Sequence, residues 1–346
     1  MDRDSSTPLG SILVTGATGK VGRRLVAELL RNGHRVAIVT RSSDAAQTLW
    51  PGPGPEIRTA DLTAPSTLAS ACDGIDTLFH LASYSPRPDE PDIYEAPSHW
   101  PVTAEGTANL MAQVAQSEIR RVIYLSSIKA MGDRAGALGR PADESVVPAP
   151  DSLYGRAKLA AERSVLDLGR TTGRQTAVLR LPMVYGLGDG GNIPRMVKAV
   201  AAGRFPPWPR IENHRAAIHV EDAVAAAILV AGHPETAGEI YLVTDGRAYS
   251  TRWIYEQTLI ALGRSLPRWT VPPGALRAAA AVGTLGERLT GRRMPLTLDG
   301  LGKLTGDAWF SSTKLERDLG FRPRWTLETE IPALVRTLAA GPGDNT

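Results

Sequence analysis

From residue 11 to residue 181, short β-branched runs alternate with longer stretches whose apolar residues recur at helical spacing. The runs fall at Ser11 to Thr15, His34 to Thr40, Glu56 to Ala60, Thr77 to Leu81, Arg120 to Ser127 and Thr176 to Leu181. Helical spacing occupies Lys20 to Asn32, Val102 to Ser117 and Leu153 to Leu168. This order predicts a doubly wound parallel α/β sheet covered by helices. After Pro182 the pattern turns irregular, with RFPPWPR, a short strand at Ala216 to Val220, a helix at Glu221 to Ala231, an amphipathic helix at Ala275 to Leu289, and small elements to about Leu338. The expected division is therefore a main domain over 9–181 and a smaller C-terminal α/β subdomain over 182–338, set on the sheet edge where open α/β sheets bind ligands. Residues 1–8 and 339–346 read as loose tails, and Trp50 to Pro55 and Gly132 to Pro150 as loops.

Composition narrows the class of protein. Hydrophobic residues make up 42% of 346 positions, charged ones 22%, and the net charge is +3 with the basic residues dispersed, which argues against a nucleic-acid partner. Cys72 is the only cysteine, so there is neither an intramolecular disulfide nor a thiolate cluster for zinc, and a reducing cytoplasm is expected. The opening MDRDSSTPLGSILVTG lacks the pattern of a secretion signal, and no uncharged stretch approaches the 18 or so apolar residues that span a bilayer.

The first strand runs into Thr15-Gly16-Ala17-Thr18-Gly19-Lys20-Val21-Gly22 and then into a helix, the context in which a glycine pattern reads as a Rossmann-type dinucleotide turn. Gly16 allows the tight turn, Gly19 lets backbone approach a pyrophosphate, and Gly22 lets helix pack on strand, with the helix N-terminus facing the phosphates. At the end of the second strand, where an acid usually bonds the ribose hydroxyls, stand Thr40 and Arg41. A guanidinium pairs with a 2′-phosphate, so NADP(H) is favoured over NAD(H), and Asp61 and Leu62 are expected to flank the adenine.

Tyr154 and Lys158 lie four apart in a helical stretch, on one face, where a cation favours the phenolate and lowers the phenol pKa from about 10. Ser127 ends a strand beside that helix. Together with TGATGKVG, HLAS (His80 to Ser83), EGTANLM, YLSSIKAMG, YGRAK, IHVEDAV and the closing LGFRPRWTLE, the chain resembles the extended short-chain dehydrogenases/reductases from about Ile12 to Leu338. Within that superfamily it is most similar to the NAD-dependent epimerase/dehydratase family.

The resemblance implies that Tyr154 donates or accepts the proton, that Lys158 holds the nicotinamide ribose, and that Ser127 bonds the substrate oxygen. It adds Leu81, Ala82, Ser83, Pro182 and Val184 to the cofactor contacts, Arg215 and Asn192 to the substrate side, and a homodimer through the helices at Val102 to Ser117 and Leu153 to Leu168. Three departures from the family pattern bear on chemistry. Ile128 and Lys129 replace the acid pair of dehydratases, and Met183 and Thr103 replace two asparagines common in sugar-nucleotide members. Arg215, by contrast, keeps the place of an arginine that grips a nucleotide diphosphate.

The expected activity is hydride transfer between a nicotinamide cofactor and a secondary alcohol or ketone, foremost ketone reduction on a sugar nucleotide or similar substrate. A sugar-nucleotide epimerase, a sterol or aromatic ketone reductase and a non-enzymatic dinucleotide sensor stay open; the Tyr154–Lys158 pair argues against the sensor. His219 beside Glu221 and Asp222 reads as a helix start, with no metal expected, and His80 as strand-end packing. Trp208, Trp253, Trp269 and Phe205 read first as core of the smaller subdomain.

Overall fold

The computed structural model describes residues 7–87, 90, 92–186, 191–291 and 294–340. Seven parallel strands form the main sheet: β1 (Ile12–Thr15), β2 (Val36–Thr40), β3 (Glu56–Thr59), β4 (Thr77–His80), β5 (Arg121–Ser127), β6 (Gln175–Leu181) and, from much later in the chain, β9 (Ile240–Leu242), in the order β3-β2-β1-β4-β5-β6-β9. The order reverses direction between β1 and β4, which opens a crevice at the strands' C-terminal ends.

Both faces of this sheet are covered, so its central strands carry apolar side chains on both faces and successive residues serve opposite cores. Ile12, Val14, Phe79 and Ile123 pack with α1 (Lys20–Arg31) and α6 (Val220–Gly232). Leu13, Leu78, Val122 and Tyr124 pack on the other side with α3 (Gly106–Ala115) and α4 (Leu153–Thr172). A short helix, α2 (Ser43–Leu49), follows β2. The stretch expected as one helix from Val102 begins instead as a π-helical turn, Trp100–Glu105, before α3 takes over. Such turns are frequent at functional sites, and this one borders the crevice.

Beyond β6, β7 (Met183–Tyr185) and β10 (Ala248–Tyr249) flank β8 (Arg215–His219) in a small second sheet. A third core forms around α5 (Asn192–Ala201), α7 (Thr251–Ala261), α8 (Pro273–Thr290), α9 (Leu298–Thr305) and α11 (Leu327–Ala340), with Trp208 buried in it and Phe205 and Trp253 packed against it. Trp269, by contrast, is 62% exposed. Near α10 (Thr313–Leu319), the closing segment is held by Asp222, whose carboxylate accepts the backbone N–H groups of Arg324 and Trp325 at 3.0 Å.

Thr7 and Pro8, expected in a loose tail, are tied down: Thr7 N–H donates to the Gly232 carbonyl at 2.8 Å, and Arg121 donates to the Pro8 carbonyl at 2.6 Å. Residues 1–6 and 341–346 of the two expected tails lie outside the described residues, while 339–340 close α11.

Candidate active site

The cofactor turn is built from close backbone approaches. Gly16 has φ +70°, and a Cβ there would lie 2.7 Å from the Leu81 carbonyl carbon and the Ala82 nitrogen. A Cβ on Gly22 would lie 2.2 Å from the Gly16 carbonyl oxygen, so α1 can sit this close only because residue 22 has no side chain. Gly19 caps α1 without a side-chain hydrogen bond, leaving the first-turn amides to face an anion. Gly22→Ala is expected to destabilise the fold by about 2–3 kcal/mol and to abolish dinucleotide binding, measured by thermal unfolding and by NADPH fluorescence titration.

At the far end of the crevice, Ser152 caps α4 by accepting the Gly155 N–H at 3.2 Å. A Cβ on Gly155 would meet the Lys129 carbonyl at 2.3 Å, so the glycine lets α4 ride directly on the turn after β5. That contact brings Ser127 and Tyr154 to the same end of the crevice. The Tyr154 N–H also donates to the Tyr94 carbonyl at 2.9 Å.

Burial pushes the Tyr154 phenol up to about 12, against the opposing pull of the Ser127 hydrogen bond and with the neighbouring Tyr94 phenol adding to the rise. The depression expected from Lys158 does not appear: the ammonium is not among the groups that act on this phenol. Lys158 is itself buried, which brings its ammonium down to about 8 despite the attraction of Glu162. Its Nζ donates to the Leu125 carbonyl at 3.1 Å and lies 4.9 Å from the centre of the Tyr124 ring. Under that ring stacks His80, at 5.1 Å, wedged between the hydroxyls of Thr15 and Thr107. Thr107 donates its own proton to the Thr103 carbonyl, so His80 Nε2 donates to Thr107 and Nδ1 accepts from Thr15. This is a neutral tautomer, in keeping with a pKa lowered to about 3 by burial first and by Lys158 second.

Behind the site a buried pair locks β5, β6 and α4. Arg180 donates to both Glu162 oxygens, at 3.0 Å from Nε and 2.7 Å from Nη2, and the Ser126 hydroxyl donates to the same carboxylate at 2.5 Å. Ser126 thereby serves the lock while Ser127, one residue on, faces the crevice.

The crevice encloses about 800 Å³. Its lining includes every expected cofactor residue of the turn (Gly16, Thr18, Gly19, Lys20, Val21, Gly22), then Arg41, Asp61, Leu62, Leu81, Ala82 and Ser83, and Ser127, Tyr154 and Lys158 at its floor. Pro182, Val184, Asn192 and Arg215 are not among the lining residues. Val184 packs against the main core, and Asn192 opens α5. Arg215 donates to the carbonyls of Lys303, at 2.5 Å, and Gly306, at 3.2 Å, so its guanidinium braces the end of α9. His219, as expected, serves a helix start, accepting the Glu221 N–H at 3.2 Å.

The sequence left unmarked an aromatic wall opposite the glycine turn. Tyr84, Ile93, Tyr94, His99 and Val102 line it. The His99 ring lies 5.0 Å from the Tyr154 ring and 5.2 Å from the Tyr84 ring, and Tyr94 lies 5.9 Å from Tyr154. The only sequence signal for this wall was its nearness to Thr103, whose hydroxyl accepts the Tyr84 N–H at 3.0 Å.

A glycine cradle at the switch point of a doubly wound sheet, with serine, tyrosine and lysine gathered at the far end, defines a dinucleotide-dependent protein of the extended short-chain dehydrogenase/reductase type. The chain belongs to the NAD dependent epimerase/dehydratase family, whose profile matches residues 12–244. It is 30% identical over 354 residues to 3 beta-hydroxysteroid dehydrogenase/Delta 5-->4-isomerase of Mycobacterium tuberculosis (strain ATCC 25618 / H37Rv), covering 95% of this chain and 90% of that one. It is 27% identical over 320 residues to UDP-glucose 4-epimerase of Vibrio cholerae, covering 92% of each. Among solved structures, that of gox2253 aligns with a TM-score of 0.75 and 26% identity over 96% of this chain and 98% of the other.

Proposed function

We propose that this protein is an NADP(H)-dependent oxidoreductase that reduces a ketone on an apolar ring substrate, with Tyr154 as proton donor, Ser127 holding the substrate oxygen and Lys158 holding the nicotinamide ribose. The observation that carries this reading is the convergence of these three residues at the floor of the crevice that the glycine turn opens. The turn fits a dinucleotide, since Gly16, Gly19 and Gly22 leave no side chain between backbone and ligand. Bound NADPH supplies the hydride. As charge develops on the carbonyl oxygen, the Ser127 hydroxyl stabilises it and the phenol gives up its proton. A phenol held near 12 is fully protonated at neutral pH, the form that reduction needs.

Substrate class follows from the wall and from what the nucleotide-sugar groups do here. Ile93, Tyr84 and Tyr94 put partly exposed side chains along the crevice with His99 buried behind them, while Arg215 Nη1 is bonded to α9 carbonyls and Met183 and Thr103 stand where asparagines hold nucleotide sugars. The steroid dehydrogenase relative agrees with this; the epimerase relative keeps a sugar nucleotide as the competing substrate. Incubation with NADPH and 3-ketosteroids, aryl ketones and UDP-sugars separates the readings. Stoichiometric NADPH loss on a ring ketone supports reduction, and an isomerised UDP-sugar with no net cofactor change overturns it.

Two further outcomes test the assignment of individual groups. Arg41 lines the crevice near Asp61, and if it grips a 2′-phosphate, Arg41→Ala is expected to raise KM for NADPH about 10- to 100-fold while moving KM for NADH by less than about twofold. Equal effects on both would remove the NADP(H) assignment. For reduction, kcat/KM is expected to stay level through neutral pH and to fall above about 8, as Lys158 loses its proton, with no break from Tyr154 until near 12. Lys158→Arg should remove the break near 8, and steady-state rates from pH 6 to 10 check it.

A further inference from the structure

Helix α8 carries two apolar faces, and the core uses only one. Leu276 and Ala280 point into the third core, and Gly283 meets the Leu296 carbonyl so closely that a Cβ would lie 1.9 Å from it. On the other side, Val282, Leu285 and Leu289 are 72%, 57% and 77% exposed. Their spacing of three and four puts them in one line, which Ala275 and Ala278, both exposed, continue toward the N-terminus. Leu298, 48% exposed, adjoins this line because its N–H donates to Thr284 Oγ1 at 2.9 Å. The stripe is about 20 Å long at 1.5 Å per residue.

Charge decides what such a ridge suits. Arg277 and Arg288, both exposed, are eleven residues apart and so lie along the same flank of the stripe. Exposed Arg268 and Trp269 precede the helix, and residues 260–291 hold four arginines against one carboxylate, Glu287. A second copy packed antiparallel on this face by two-fold symmetry would set the arginine rows side by side. An anionic surface meets both the charge and the apolar line, and a helix of this pattern with an exposed tryptophan is suited to lie in a lipid interface.

We propose that α8 seats this protein reversibly on an anionic lipid surface. The seat is close to the substrate end of the crevice: α9 packs against α8, and Lys303 of α9 places its Nζ 4.7 Å from the centre of the Tyr94 ring. The proposal stands independently of which ketone is reduced.

The test is co-sedimentation of the full chain with vesicles of phosphatidylcholine alone and of phosphatidylcholine with a quarter phosphatidylglycerol. Binding to the mixed vesicles is expected, weakened by high salt. The triple substitution Val282→Ser, Leu285→Ser, Leu289→Ser should weaken it at least about tenfold, and Arg277→Gln or Arg288→Gln about fivefold each. NADPH binding by the same variants should be unchanged, which separates failure of the seat from failure of the fold. No binding to anionic vesicles at low salt, or binding that the triple substitution leaves intact, overturns the proposal. So does sedimentation velocity, without lipid, showing that the triple variant splits an oligomer, since the stripe would then be a contact between copies.

Discussion

Tyr154→Phe is expected to lower kcat by about 10²- to 10⁴-fold while leaving the Kd for NADPH within about twofold. The substitution removes one oxygen. The ring keeps its neighbours, His99 at 5.0 Å and Tyr94 at 5.9 Å, and the backbone N–H keeps its bond to the Tyr94 carbonyl, so α4 has no reason to shift. What disappears is the hydroxyl proposed as the proton source. Single-turnover mixing of enzyme, NADPH and substrate isolates the chemical step, and fluorescence titration checks the cofactor. Full turnover by the variant would defeat the assignment of Tyr154 while leaving the dinucleotide cradle standing.

Glu162→Ala should cost about 3–5 kcal/mol of stability and lower the midpoint of thermal unfolding by on the order of 10 °C. The penalty comes less from losing an attraction than from stranding a charge: Arg180 and Glu162 are 2% and 1% exposed, and the guanidinium would be left without its carboxylate. Ser126 would lose its acceptor too. Replacing the pair together, as Glu162→Leu with Arg180→Met, should recover part of the loss, because no stranded guanidinium remains, although Lys158 still loses the attraction of Glu162. Calorimetry on the two variants distinguishes these outcomes. A single variant as stable as the parent would mean that water reaches the guanidinium.

Much of this was legible in the sequence where the chemistry is local. Gly19 and Gly22 of TGATGKVG are required by their distance to the Gly16 carbonyl a few residues back, and the strands of the main sheet by the apolar runs that a doubly covered sheet demands. The Tyr154–Lys158 pair was marked by spacing and Ser127 by family resemblance, and the three line one crevice. The ionisation of the phenol was not, because burial, which raises it, depends on the whole fold, and the lowering expected from Lys158 is absent. The place of Arg215 in the sequence suggested an anion; its partners are carbonyls some 90 residues later, which no local pattern reveals. The aromatic wall is set in a stretch without helical or strand period, so its side chains acquire a common direction only when the chain around them packs. Strand β9, three residues long, is too short for any periodicity to mark.

That last strand has a consequence for how the chain matures on the ribosome. Val178, Leu179 and Arg180 gain their outer neighbours only from Ile240, Tyr241 and Leu242. A nascent polypeptide that has delivered the whole nucleotide-cradling half therefore still presents β6 as a bare, apolar margin for the time needed to synthesise some sixty more residues. During that interval β6 is an unpaired edge, the kind of strand that invites pairing with another chain.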